Sequence, residues 1–289
     1  VAASAVARAL PERLSYGLAH WFGGLQARLS KKKRAQVERN LTRITGHPIG
    51  SPELDEVVLA AYRSYARYWL ETFALVRETK EFFLERFHCP TATNIDAVVA
   101  RGKGAVVAVG HLGNWDAAGA WVGARGQLLV TVAEVLRPRR MFDFFVEHRA
   151  RLGMKIFAAE KGVTDKLVAE VENGAVVAIL ADRDLKGTGV QLDFFGEPAT
   201  FPAGAASVAL RAGVPLLVAG VYGTQLQSGR RGWEAEISEP IELPAERGPG
   251  AVELLTAQVA AKLEELVARH PEEWHVFQPF WIADKKAKA

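Results

Sequence analysis

The stretch Ala105 to Asp116 reads AVVAVGHLGNWD. Its first five residues, Ala105–Val109, carry no polar side chain, the pattern of a central parallel strand covered on both faces. Gly110 lets the backbone turn sharply, and Asn114 through Gly123 reads as the start of a helix. His111 therefore stands between the C-terminal end of a strand and a helix, where open α/β sheets bind ligands. Asp116, five positions on, is a carboxylate suited to hold one imidazole nitrogen and leave the other as a general base. A histidine that only caps a helix gives the same local pattern, so the stretch alone leaves both readings open.

Downstream, strands and helices alternate. Leu128–Ala133, Lys155–Phe157, Ala175–Leu180, Gln191–Phe195, Pro215–Tyr222 and Trp233–Ile237 read as strands. Pro138–Leu152, Val163–Glu172, Ala203–Ala212 and Ala251–His270 read as helices. This predicts an α/β fold with a central, mostly parallel sheet flanked by helices. Before it, Ser51-Pro52 opens a helix that runs to about Val76, with Tyr62, Tyr65, Trp69 and Phe73 as a stripe expected in the core. With no repeat or low-complexity linker, residues 1–289 are expected to form a single domain. Residues 1–50 are its basic amphipathic helical segment and residues 90–289 its α/β catalytic core.

The net charge of +3 is unevenly spread: residues 1–50 hold nine Lys or Arg and two acids, so the remainder sums to −4. Val6, Leu10, Leu14, Leu18, Trp21, Phe22, Leu25 and Leu29 recur near a 3.6 period, ahead of Lys31-Lys32-Lys33-Arg34. Pro11 should start or kink a helix. An apolar stripe with Trp and Phe beside a basic cluster suits an anionic membrane surface. A helix packed on the core with a solvated charge run is the alternative. No DNA- or RNA-binding motif is present, so nucleic acid is not an expected partner. No apolar run reaches the ~18 residues of a spanning helix, and no cleavable signal sequence is evident. Cys89 is the single cysteine, which excludes an internal disulfide and offers no metal-ligand spacing.

Three strand ends carry polar groups. The first gives His111 and Asp116; the second gives Glu134, followed by Arg139-Arg140; the third gives Asp182, Arg183 and Asp184. In a parallel sheet these ends line one edge and converge on one crevice. Next comes FFGEPATFPAGAA, Phe194 to Ala206, whose helix start offers amides to an anion, or whose small residues pack tightly on the sheet.

These blocks carry a resemblance. HLGNWD is an HX4D motif, His111 to Asp116; with ADRD, FFGEPATFPAG and AGVPLLVAGVY in order, it resembles the lipid A lauroyl/myristoyl acyltransferase type of glycerolipid acyltransferase. Arg39-Asn40-Leu41 and His270-Pro271-Glu272-Glu273-Trp274 extend the likeness over nearly the whole chain. ALPERLSYGLA, EVLRPRRMFDFFVEHRARLGMKI and LADRDLKGTGVQLDFFG make it most similar to the actinobacterial phosphatidylinositol mannoside acyltransferases. The PEGTR-type block of glycerol-3-phosphate acyltransferases is absent; ADRDLKGTGV stands in that region, which favours a glycolipid acceptor.

The resemblance implies transfer of a fatty acyl chain from acyl-CoA, as co-substrate, to a mannose hydroxyl of a phosphatidylinositol mannoside, with no cofactor or metal. It implies a peripheral enzyme at the cytoplasmic face of the membrane. His111 is the general base and Asp116 its orienter, as a carboxylate serves a serine-hydrolase histidine. Glu134, Arg149 and a carboxylate of Asp182-Arg183-Asp184 belong to the pocket, with Asp184 preferred to Asp182. Arg149 equally suits a surface ion pair with Glu147 or Asp143. Phe142–Phe145 and Ala203–Ala212 are candidate walls of the acyl groove. The rival readings are another acceptor, such as a lipid A precursor, and a non-catalytic lipid-binding protein of the same fold.

Overall fold

A computed structural model describes residues 11–286 except 136, 185–186 and 249. The apolar positions Val6 and Leu10 lie outside the described residues.

Helix α1 (Glu12–Leu29) starts just after Pro11, and α2 (Lys31–Thr45) follows at once. Helix α3 (Pro52–Ala74) is capped by Ser51, whose Oγ accepts from the Leu54 amide at 3.2 Å. Helix α4 (Lys80–Arg86), strand β1 (Phe87–His88) and α5 (Ala92–Val99) lead to β2 (Ala105–Val109) and α6 (Trp115–Ala124). Then come β3 (Leu129–Ala133), α7 (Arg139–Arg151), β4 (Met154–Ala158), α8 (Val163–Glu172) and β5 (Val176–Leu180). A hairpin, β6 (Val190–Phe194) and β7 (Glu197–Phe201), precedes α9 (Gly204–Ala212), β8 (Leu216–Gln225), β9 (Arg231–Ile237), α10 (Ala251–Arg269) and α11 (Ile282–Lys286).

The main sheet has the order β1-β9-β8-β2-β5-β3-β4. Strands β8, β2, β5, β3 and β4 run parallel; β9 is antiparallel to β8 and pairs in parallel with β1. The mostly parallel α/β architecture read from the sequence is the one observed. Alternate residues of β2 divide its two faces: Val106 and Ala108 pack with α8, α9 and α10, while Ala105 and Val107 pack with α5 and α6. The small residues Ala205, Ala209 and Ala212 of α9 are buried on the first of these faces, so they serve packing.

Helix α1 departs from the usual amphipathic arrangement. It packs on α3 through Ala19, Gly23 and Ala27, and a Cβ at Gly23 would stand 2.6 Å from the Tyr62 carbonyl oxygen. Its large apolar residues point outward instead: Leu14, Leu18, Phe22, Trp21 (64% exposed) and Leu29 (72%). Small residues allow the close helix crossing, and the bulky ones are left on the opposite arc. Among the described residues no helix is long and apolar enough to cross a membrane.

Candidate active site

Strands β2 and β5 are neighbours, with Val109 level with Leu180. Two residues beyond each lie His111 and Asp182, brought to the same height at the sheet's edge. The His111 amide donates to Asp182 Oδ2 at 2.7 Å, and His111 Nδ1 lies 2.6 Å from Asp182 Oδ1. Trp274 Nε1 donates to Asp182 Oδ2 at 2.9 Å. Burial pushes the Asp182 carboxyl up, but the His111 ring and the N–H donors of His111 and Trp274 outweigh it and hold it below the usual range. An ionised carboxylate only accepts, so Nδ1 carries a proton, and in the neutral ring it is Nε2 that holds the lone pair.

This corrects the expected pairing. Asp116 is buried but does not hold His111: its Oδ1 accepts from Arg149 Nε at 2.7 Å, and its Oδ2 has no hydrogen-bond partner. Asp116 lies in the first turn of α6, where Asn114 caps the helix by accepting from the Ala117 amide at 3.0 Å. Its side chain meets α7 there, not the imidazole. Arg149 is thus drawn inward rather than into a surface pair with Glu147 or Asp143. Burial opposes its charge, but Asp116 holds its pKa above the ordinary arginine value. Asp184, preferred to Asp182 from the sequence, instead accepts from the Gly187 and Gly189 amides at 2.9 and 2.8 Å and shapes the loop after β5.

A cavity of about 550 Å³ opens at His111. Its mouth has Glu134, Arg149, Arg183, Gln278 and His275, with Tyr65, Tyr68 and Trp115 around them. Behind the mouth it is apolar, running between α6 and the sheet past Val107, Ala178, Leu129, Val221, Ala235 and Ile237. Those residues sit on β2, β5, β3, β8 and β9, so the cavity crosses five adjacent strands, a span of roughly 19 Å at ~4.8 Å per strand. Phe142 and Phe145 line it as expected. Residues 203–212 do not, because α9 covers the opposite face of the sheet. Of the sequence-predicted residues, His111, Asp116, Glu134, Arg149 and Arg183 meet at this cavity, and Asp182 stands behind His111.

The sequence reading missed what the C-terminal segment does. The Gly113 amide donates to the Glu273 carbonyl and the His275 amide to the His111 carbonyl, at 2.9 and 2.8 Å. Residues 273–275 thereby strap the His111 loop. Gly113 has φ +53°, and a Cβ there would lie 2.3 Å from the Val221 carbonyl oxygen, so only glycine fits. Ser64 Oγ donates to Glu273 Oε2 at 2.9 Å and lies 2.8 Å from His275 Nε2, so Nε2–H is the donor of that pair. Nδ1 of His275, buried and without a partner, keeps a lone pair. Burial, then the charges of Arg67 and His111, hold His275 well below the usual histidine pKa. Tyr65 and Trp69 of the stripe expected in the core line this cavity instead. The signal for all this was HPEEWH itself, but nothing local says that it reaches His111.

A histidine held by a buried carboxylate thus stands at a long, largely apolar cavity in an α/β sheet. The chain belongs to the bacterial lipid A biosynthesis acyltransferase family, whose model matches residues 1–282. The phosphatidylinositol mannoside acyltransferase of Mycobacterium tuberculosis is 34% identical over 254 residues, 86% of this chain and 77% of that protein. The protein of the same name from Mycolicibacterium smegmatis is 32% identical over 282 residues, 96% of this chain and 88% of that one. The crystal structure of the 1-acyl-sn-glycerophosphate acyltransferase from Thermotoga maritima covers 88% of this chain and 98% of its own, at 12% identity and a TM-score of 0.40.

Proposed function

We propose that this acyltransferase moves a fatty acyl chain from acyl-CoA to a mannose hydroxyl of a phosphatidylinositol mannoside. The observation that carries the mechanism is the Asp182–His111 pair, which leaves Nε2 as the acceptor nitrogen at the cavity mouth. His111 Nε2 takes the hydroxyl proton as the sugar oxygen attacks the thioester carbonyl. The C–S bond then breaks, and the CoA sulfur leaves with the proton returned by the imidazolium. No enzyme nucleophile is needed, and base help of this kind is worth ~10²–10⁴-fold. The acyl chain lies in the apolar cavity under the sheet. Glu134, Arg149, Arg183 and the free Nδ1 of His275 offer charged and hydrogen-bonding partners to a sugar, with Tyr65, Tyr68 and Trp115 as apolar faces beside it. The names of the relatives support the acceptor.

The enzyme works as a peripheral protein at the cytoplasmic face of the membrane. The outward arc of Leu14, Leu18, Trp21, Phe22 and Leu29 supports this, as do the exposed Lys31, Lys32 and Lys33. Arg34 of the basic cluster is already taken by Glu38 and Asp55, at 2.7 and 2.6 Å. The deciding experiment is thiol release from palmitoyl-CoA with and without purified phosphatidylinositol mannosides, run in parallel with a lipid A precursor. Release dependent on the mannoside sustains the reading. Release only with the lipid A precursor overturns the acceptor, and binding without release overturns the reaction.

A further inference from the structure

A second cavity, about 750 Å³ and open to solvent, lies between α1, α3 and the β8–β9 hairpin. It is walled off from the acyl cavity by a chain of buried polar groups, Arg67–Glu273–Ser64–His275. Four arginines line it: Arg13, Arg63, Arg67 and Arg231. Its carboxylates are largely spoken for. Glu273 pairs with Arg67, Glu12 with Arg86 at 2.9 Å, and Glu272 lies 3.3 Å from His270. Among the described residues no carboxylate pairs with Arg13, Arg63 or Arg231. The Arg63 Nε is buried and has no hydrogen-bond partner. The Arg231 guanidinium rests on the Tyr16 ring, 5.5 Å from its centroid, which limits its motion. His20, also in the lining, is held below the ordinary histidine pKa by burial and by the charges of Arg63 and Arg231, so a positive field is present there.

We propose that this cavity binds a phosphate ester. Unpaired guanidinium groups on one concave wall match phosphate oxygens in charge and in fork geometry. The cavity adjoins the helix whose apolar arc faces outward, so the headgroup phosphate of an anionic phospholipid is the source the geometry favours. A phosphate of CoA has the same chemistry and is separated by the test. The proposal stands apart from the acyl-transfer reading, since no residue of the catalytic site takes part.

The test compares wild type with Arg63→Gln/Arg231→Gln, checked for unchanged circular dichroism, by calorimetric titration with inositol 1-phosphate and with CoA. Cosedimentation with phosphatidylcholine vesicles, with and without phosphatidylinositol, runs beside it. The double variant should lose saturable inositol 1-phosphate binding and bind the phosphatidylinositol vesicles about tenfold or more weakly. Its binding to pure phosphatidylcholine vesicles should be unchanged. Arg63→Lys/Arg231→Lys should recover part of the loss. A loss confined to CoA supports the phosphate site and assigns it to the donor. Equal affinity of wild type and double variant for both soluble ligands, or no saturable binding by wild type, overturns the proposal.

Discussion

Asp182→Asn tests the site most sharply. The carboxylate accepts from three N–H groups: Oδ2 takes the His111 amide and Trp274 Nε1, and Oδ1 faces His111 Nδ1. An asparagine has one acceptor oxygen. Keeping that oxygen where two donors converge saves two hydrogen bonds, each worth ~1 kcal/mol. The amide NH₂ then faces Nδ1, which must accept. The ring proton moves to Nε2, and the base presents N–H to the substrate where it needs a lone pair. The same substitution in a serine-hydrolase triad costs ~10⁴ in turnover through the wrong tautomer. The expected loss here is therefore near the upper end of the ~10²–10⁴ that a general base supplies. The assay is steady-state thiol release from acyl-CoA with acceptor, alongside thermal melting to confirm that the variant is folded. Asp184→Asn, which keeps an acceptor oxygen for the Gly187 and Gly189 amides, should stay within about threefold of wild type, the size of a minor positional effect. A folded Asp182→Asn enzyme within that same range would refute the role given to Asp182.

His111→Ala should abolish transfer while leaving the melting transition in place; near-wild-type turnover in a folded variant would end the base mechanism. Ala235→Phe, deep in the cavity on β9, should shift donor preference toward shorter acyl chains, read as relative rates across a series of acyl-CoA lengths. Neutralising Lys31, Lys32 and Lys33 together should weaken binding to anionic vesicles, with the difference shrinking as salt is raised; unchanged sedimentation would remove these lysines from membrane attachment. His275 is neutral when folded because its pKa is depressed, whereas the unfolded chain binds a proton below ~6.5. Its contribution to stability is complete above that pH and is lost as pH falls, by at most about 1.4 kcal/mol per pH unit. Denaturant midpoints at pH 7.5 and 5.5 should differ less for His275→Gln than for wild type.

Much of this molecule was legible because its signals are local. The apolar run Ala105–Val109 followed by glycine and histidine specifies a buried strand that ends at His111, and the strand–helix alternation specifies the sheet. Glu134 and Arg149 were placed at the pocket by likeness and Arg183 by its position after an apolar strand, and all three line the cavity. The hairpin partner Glu197–Phe201 and the outward arc of α1 were less legible. The first breaks its pattern with Pro198, and for the second a 3.6 period gives the stripe without saying which way it faces.

The sequence by itself determined the fold class and the family, and it singled out His111 as the candidate base. The carboxylate that holds that histidine was decided only by tertiary structure. Sequence spacing favours Asp116, five residues away, but the helix start carries its side chain to Arg149. Parallel pairing sets Val109 level with Leu180, so His111 and Asp182, 71 residues apart, become neighbours across one strand spacing. Trp274 and His275 arrive from the chain's other end to complete the setting. Register and long-range strapping follow from how whole elements pack, and no window of sequence around His111 contains them.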